Sequence, residues 1–370
     1  MILLDPRPQP SRALALLSPV IAIVLTLVAG GILMAAMGKD PVEALSIYFF
    51  QPFKEFWLWL TLPPGEAEMW LYTPSEVVVK AIPLALIGAG LAVCFRANVW
   101  NIGAAGQYTL GAITGGWIAL SAPDGASGIW LVPYLAAGAL GGMAWAAIPA
   151  LLRVRFNANE ILVSLMLTYV AAQLLDWLVR GPFKDPAGFG FPESKEFQDG
   201  FIMPVLVGGT RLHLGAVLAI VAAVALWLMM TRTMKGFQVR VIGAAPRAGA
   251  FAGFSQDRTI WFALLLSGGL AGLAGAVEVS ATVQQLQPQI SAEYGFVAII
   301  VAFLGRLNPI GALFGALILA VSYIGGENAQ IMLKLPKAVT GIFQGMLLFF
   351  LLACDTLIHY RIRLAAPGRA

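Results

Sequence analysis

Apolar runs recur along the chain near 14–37, 76–95, 104–120, 129–152, 161–180, 213–231, 259–281, 295–305, 309–325 and 337–355, separated by short polar stretches. A helix needs roughly 20 apolar residues to cross a bilayer. The pattern therefore predicts about ten spanning helices, the count hinging on the two short runs that flank "GRLNP" (305–309). Between the first and second runs the rhythm fails. The stretch 41–75 carries Pro52, Lys54, Glu55, Pro63, Pro64, Glu66 and Glu68, too polar and broken to span. Its aromatics, Trp57 and Trp59 among them, predict a helix lying in the membrane interface. The opening "MILLDPRPQPSRALALL" passes from a polar, proline-rich lead into the first run with no cleavage site, so that run reads as a retained helix. No lipidation motif is present.

Composition agrees with the pattern. Hydrophobic residues form 59% of the 370 and charged residues only 11%, too few to cover a soluble protein of this size. The expected fold is an all-α integral membrane bundle, one permease-like domain over 1–370 with its membrane region at 14–355 and with broken or re-entrant segments. Much of the glycine lies within spans. "GALGGM" (138–143) and "GGLAGLAG" (268–275) set small residues four apart on one helix face, which lets helix backbones approach closely.

Charge sets the orientation. With the N-terminus in the cytoplasm, the inside receives Arg7, Arg12, Arg96, Arg153, Arg155, the group Arg232, Lys235, Arg240, Arg247 and Arg258, then Arg306, Arg361, Arg363 and Arg369. This excess of basic residues predicts both termini inside a cytoplasmic membrane, with 181–212 as an extracytoplasmic loop. Trp70, Tyr72, Trp130 and Tyr134 are then expected as an outer aromatic belt. The net charge of +4 is scattered through short loops and does not suggest nucleic acid, leaving lipid as the surrounding partner.

The chain lacks recognisable enzyme equipment. It has no G-x-x-x-x-G-K-[ST], H-E-x-x-H or G-x-S-x-G. Cys94 and Cys354 lie in distant apolar runs, so no disulfide framework is indicated. His213 and His359, the only histidines, do not make a metal site, which needs three or four convergent ligands. Packing or solvation at span ends accounts for both.

Three polar segments remain. "FRANVWNIGAAGQYTLGA" (95–112) places Arg96, Asn98, Asn101 and Gln107 among glycines between apolar runs. Irregular backbone at membrane depth is tolerated only beside protein or a water-filled cavity. Asn98, Asn101 and Gln107 therefore either face a path or satisfy the broken backbone. Asn101 is expected to cap a helix starting near Gly103, in a role Asp or Ser could fill, and Gln107 to face the path. In "RVRFNANEILVSLMLTYV" (153–170), Asn159 and Glu160 enter a helix from the inside with the same two readings. Glu278 and Glu293 line a mouth or snorkel at the outer side.

The third segment, 232–258, is the longest cytoplasmic loop. A short helix beginning at Pro246 and ended by Gly253 would expose Arg247, Ala248, Phe251 and Ala252. Such a helix suits insertion into a partner's groove, against the alternative of a solvated loop. A weaker signal is the echo of "RANVWNIGA" (96–104) in "RLNPIGA" (306–312), which suggests an internal duplication.

"FRANVWNIGAAGQ", "NEILVSLMLTYVA", "VIGAAPRAGAFAGF" with "LSGGLAGLAGAVEV", and "FVAIIVAFLGRLNPIGALFGAL" resemble, in order from about Pro41 to Leu352, the permease subunits of bacterial ABC importers for nucleosides and simple sugars, a group related to ribose-type and branched-chain amino-acid permeases. The resemblance implies a multi-pass inner-membrane subunit that binds no cofactor itself. Its implied partners are ATP-binding cassette subunits using ATP and Mg, a second homologous permease, and an extracytoplasmic substrate-binding lipoprotein. It also implies that Gly243, Ala245, Pro246, Arg247, Ala248, Phe251, Ala252 and Gly253 form the coupling element that touches the ATPase. Two positions depart from the group. Members commonly read "NIGAEGQ" where this chain has Ala105, and "MLNY" where it has Thr168 before Tyr169. A transport role resting on charge in the first motif does not carry over. The rivals are a stand-alone secondary transporter of a small neutral solute, which would need ion-coupling acids at the midplane, and a membrane-embedded enzyme.

Overall fold

The computed structural model describes residues 2–6, 12–63, 70–188, 190–290 and 293–364. Arg7 and Arg369, assigned to the inside above, and Pro64, Glu66 and Glu68 lie outside the described residues, as does the His359 side chain. In chain order the elements are β1 (Ile2–Pro6), α1 (Arg12–Ala36), α2 (Pro41–Leu45), a π-turn over Ser46–Phe50 and α3 (Gln51–Thr61). Then come α4 (Tyr72–Arg96), α5 (Ala104–Ser121), α6 (Leu131–Phe156), α7 (Glu160–Arg180), α8 (Gly215–Arg232), α9 (Met234–Ala244) and α10 (Pro246–Phe251). The chain ends with α11 (Gln256–Glu278), α12 (Tyr294–Leu304), α13 (Pro309–Leu333), α14 (Ala338–His359) and β2 (Tyr360–Leu364), whose backbone pairs antiparallel with β1.

Each predicted apolar run falls on a helix. Eight helices, α1, α4, α6, α7, α8, α11, α13 and α14, are long and apolar enough to cross a membrane. The other two depart for separate reasons. α5 carries its polar start and its glycines. α12 has 11 residues, about 16 Å at ~1.5 Å per residue, roughly half a bilayer core.

The chain divides into two compact units, Met1–Ala67 with Val321–Ala370, and Glu68–Ala320. In the first, Tyr48 is fully buried, stacks on Phe343 with ring centroids 4.6 Å apart, and shares a hydrogen bond with Ser322 at 3.2 Å. The stretch 41–61 is thus helical, as expected. Its first half is packed, while Phe53, Trp57 and Leu60 on α3 stay exposed. Ser18 of α1 donates to Asp355 of α14 at 2.9 Å, pairing a buried hydroxyl with a half-buried carboxylate between apolar helices.

In the second unit α5, α6 and α11 meet through the predicted small-residue stripes. A Cβ on Gly142 would come 2.7 Å from the Cα of Gly272, so these backbones touch and only glycine fits. Thr114 adds a bond from α5 to the Ala137 carbonyl of α6 at 2.9 Å. Tyr134, expected in an interfacial belt, is instead fully buried and donates to the Ala276 carbonyl at 2.8 Å. The close approach of α6 to α11 encloses it. Glu278 is likewise buried rather than snorkelling.

Between α7 and α8 the long loop is an ordered cap. Ser194 is buried, donates its amide to Leu286 and accepts the Leu286 amide on its hydroxyl. Gln198 accepts from the amides of Gly125 and Ala126. Arg211 grips the buried Glu76 of α4 with both ends of its guanidinium, Nε to Oε1 at 2.8 Å. The bidentate bond raises the Arg211 pKa and fixes its charge.

Candidate functional site: a basic helix-end platform and a buried amide cluster

The ends of α4, α6, α9, α12 and the starts of α7 and α11 converge at one end of the second unit. α4 stops because Asn98 takes a left-handed conformation (φ 55°), and the Val99 and Asn98 amides bond back to the carbonyls of Cys94 and Phe95. Asparagine tolerates that region better than most residues. Asn157 ends α6 the same way, at φ 50°. Asn159 then caps α7, its Oδ1 accepting from the amides of Ile161 at 2.9 Å and Leu162 at 3.4 Å. Glu160, buried in the first turn, pairs with Arg153 of the last turn of α6 at 3.3 Å. Each charge suits the helix end it occupies. Asn98, Arg153 and Glu160 line a small cleft with Ile242, Pro246 and Gln256.

α9 and α10 stand on this platform. Thr233 caps α9 by accepting the Gly236 amide. Pro246 opens α10, and Gly253, at φ 79°, closes it, both as the sequence predicts. Gly249 is buried against Ile242, while Arg247, Ala248 and Ala252 are exposed and Phe251 is 95% exposed. Ala245 joins the two helices and Gly243 packs on the end of α4. Phe251 is thus held almost wholly exposed, with no ring contact among the described residues.

The amide cluster lies elsewhere, at the broken start of α5. Asn101 and Gln107 are both buried and bond each other through both side-chain atoms. Asn101 Oδ1 also accepts the Gly103 amide at 3.1 Å, and its Nδ2 donates to Ser267 of α11 at 3.1 Å. Gly103 itself is the N-cap of α5, so Asn101 precedes the cap rather than supplying it as expected. Because Nδ2 donates twice, Asp or Ser cannot replace this side chain as a simple cap could be replaced. The structure thus joins Asn101 with Gln107, and Asn98 with Glu160, in two places, and leaves Asn159 as an exposed cap. Ser267 escaped sequence reasoning, since "LLLSGGL" reads as packing alone. α12 starts beside α5, where a Cβ on Gly295 would lie 2.5 Å from that of Ala105. Two helix starts are therefore buried together. The echo between 96–104 and 306–312 also has a structural counterpart. Asn308 Oδ1 accepts the Ile310 amide at 3.0 Å, as Asn101 accepts that of Gly103.

Residues 73–352 match the family described as the permease component of the branched-chain amino acid transport system. Similar proteins include a glucose ABC transporter permease of Haloferax volcanii, 33% identical over 99% of this chain and 94% of that one. A guanosine ABC transporter permease of Bacillus subtilis is 30% identical over 90% and 92%. A nucleoside ABC transporter permease of Lactococcus lactis is 29% identical over 88% of each. The last two organisms each hold a second, more distant permease similar to this chain.

Proposed function

The chain belongs to the permease family of branched-chain amino acid transport systems, and from that premise we propose that it forms the translocation path for a nucleoside or simple sugar and is driven through α9–α10 by a separate ATPase. It is a membrane-spanning transporter subunit. The finer reading makes 1–370 one permease domain with both termini cytoplasmic, α9–α10 inside and the 181–212 cap outside, where a substrate-binding lipoprotein delivers solute. It carries no ATP-binding motif of its own, and ATP and Mg act on the partner ATPase subunits. The paired relatives in two organisms support a second permease as partner.

One observation carries the coupling assignment: Phe251 projects 95% exposed from a capped six-residue helix rooted on the basic platform. Gly243, Ala245, Pro246, Arg247, Ala248, Ala252 and Gly253 supply its shape and rim. Asn101 and Gln107 are assigned to the path at the buried helix starts, and Asn98, Asn159 and Glu160 to its inner end. Neutral amides suit a hydroxylated solute, which offers hydrogen bonds and little charge.

The test is co-purification of the ATPase with Phe251→Asp and Ala248→Glu variants, alongside uptake of radiolabelled guanosine and glucose. Both variants should reach the membrane at wild-type level, lose the ATPase and lose uptake. An intact, active complex in both would reduce α10 to a solvated connection.

A further inference from the structure

Arg96 ends α4 and touches both α9 and the turn that follows α12. Its backbone receives the coupling element: Gly243 of α9 lies so close that a Cβ there would meet the Arg96 carbonyl and come 3.1 Å from the carbonyl carbon of Ala97. Its side chain reaches the end of α12. Nε donates to the Leu307 carbonyl at 3.1 Å and Nη2 to the Arg306 carbonyl at 3.3 Å.

The gripped turn is unusual. Arg306 and Leu307 are consecutive left-handed residues, at φ 59° and 51°, and neither is glycine or asparagine. Such backbone persists only where its surroundings over-determine it. A guanidinium fork that holds both carbonyls, at the negative end of a helix dipole, is such a determinant. Arg240, on the same helix as Gly243, sets a like charge against the guanidinium. Displacing α9 thus alters both the packing and the field at Arg96. The other end of α12 is its buried start beside α5.

We propose that Arg96 is a positioning residue that relays displacement of α9–α10 to α12, and so to the buried helix starts at the amide cluster. The proposal rests on the reading of α10 as the ATPase contact, and the two are separable by experiment. Arg96 is exposed at the end of α4 and lies on neither α9 nor α10, so its loss leaves the docking residues themselves in place. An aromatic trio of Phe95, Trp100 and Phe303, with centroids 5.1 to 6.2 Å apart, keeps α4 and α12 together without it.

The experiment uses the full complex in proteoliposomes, measuring ATP hydrolysis and uptake of radiolabelled guanosine and glucose. Arg96→Gln should co-purify the ATPase normally and hydrolyse ATP within twofold of wild type, while uptake per ATP falls at least tenfold. Arg96→Lys keeps the charge but not the fork, and should be intermediate. The double variant Arg96→Gln with Leu307→Gly relieves the left-handed strain at Leu307 without restoring the link, and should stay uncoupled. Recovery in that double variant would make Arg96 a brace for the turn and overturn the relay. So would a wild-type ratio in Arg96→Gln, or loss of the ATPase from it. If Arg96→Gln fails to reach the membrane, the Lys variant decides, and a wild-type ratio there sinks the proposal. A Phe251→Asp variant that keeps its ATPase would overturn the docking assignment independently.

Discussion

Asn101 and Gln107 turn their carboxamides face to face, Asn101 Nδ2 donating to Gln107 Oε1 at 2.8 Å and Gln107 Nε2 returning a bond to Asn101 Oδ1 at 3.0 Å. Both polar atoms of each side chain are used, and neither residue meets solvent. The pair closes the interrupted start of α5 against itself.

Gln107→Leu removes both bonds and leaves the remaining Asn101 groups with Gly103 and Ser267 alone. The expected cost is about 1–3 kcal/mol, the penalty for orphaning buried polar groups. Asn101→Asp should cost more than Asn101→Ser, because it buries a carboxylate and loses both donated bonds. Thermal unfolding in detergent measures the order, and guanosine and glucose uptake reports the path role. An Asp variant as stable as wild type would refute the two-donor account.

Gly272 of α11 contrasts with Gly345 of α14. A Cβ on Gly272 would lie 2.8 Å from the Cα of Gly142, whereas Gly345 faces open space. Gly272→Ala should destabilise the protein by about 1–3 kcal/mol through overpacking of backbone on backbone. Gly345→Ala should be neutral, or stabilising by up to about 1 kcal/mol, through helix propensity. Equal shifts in melting temperature for the two variants would dismiss the close-approach argument.

How far the sequence was legible follows from which signals are local. Pro246 and Gly253 mark a helix start and stop by their own backbone limits, so α10 was readable residue by residue. Glycines four apart in 138–143 and 268–275 announced close packing, and the structure pairs them. The side each residue faces is not a local property. Tyr134 looked interfacial because it sits near a span end, yet the glycine seam of α6 and α11 draws it inward. Ser267 gained meaning only when α11 passed beside the start of α5. The left-handed turn at Arg306 and Leu307 was unreadable, because neither residue type prefers that conformation, and the bonds it makes, from the Leu307 amide back to Ala302 and from the distant Arg96 to both carbonyls, exist only in the fold.

His213 supplies a pH-dependent term. It is buried in the cap just before α8, accepts the Gly215 amide on Nδ1 at 3.2 Å, and its Nε2 has no partner among the described residues. Burial lowers its pKa from 6.5 to about 4. The unfolded chain therefore takes up a proton on this group between pH 6.5 and about 4 while the folded chain does not. Stability is full above 6.5 and falls across that window, with the loss complete below about 4. At ~1.4 kcal/mol per unit the ceiling is ~3 kcal/mol. His213→Asn keeps an acceptor near the Nδ1 position without titrating, and should flatten the fall in melting temperature between pH 6.5 and 5. An unchanged slope would show that other groups set the acid sensitivity.

Orientation is tested by choosing positions the fold leaves open. Ser194 is a poor probe, because its hydroxyl and amide both bond Leu286 beneath the cap. Gln198 is no better, since its side chain ties down Gly125 and Ala126. Lys195 and Glu196 are exposed on the same loop, and Ala248 and Ala250 are exposed on α10. With Cys94 and Cys354 both buried, the background labelling should be low. Lys195→Cys and Glu196→Cys should react with an impermeant maleimide in intact spheroplasts. Ala250→Cys should react only after the membrane is opened. The arginine excess at the α9–α10 end predicts this sense, because positively charged loops are retained on the cytoplasmic side. Reversed labelling at both sites would place α10 outside the cell, where no ATPase could meet Phe251, and the coupling assignment would fall with the topology.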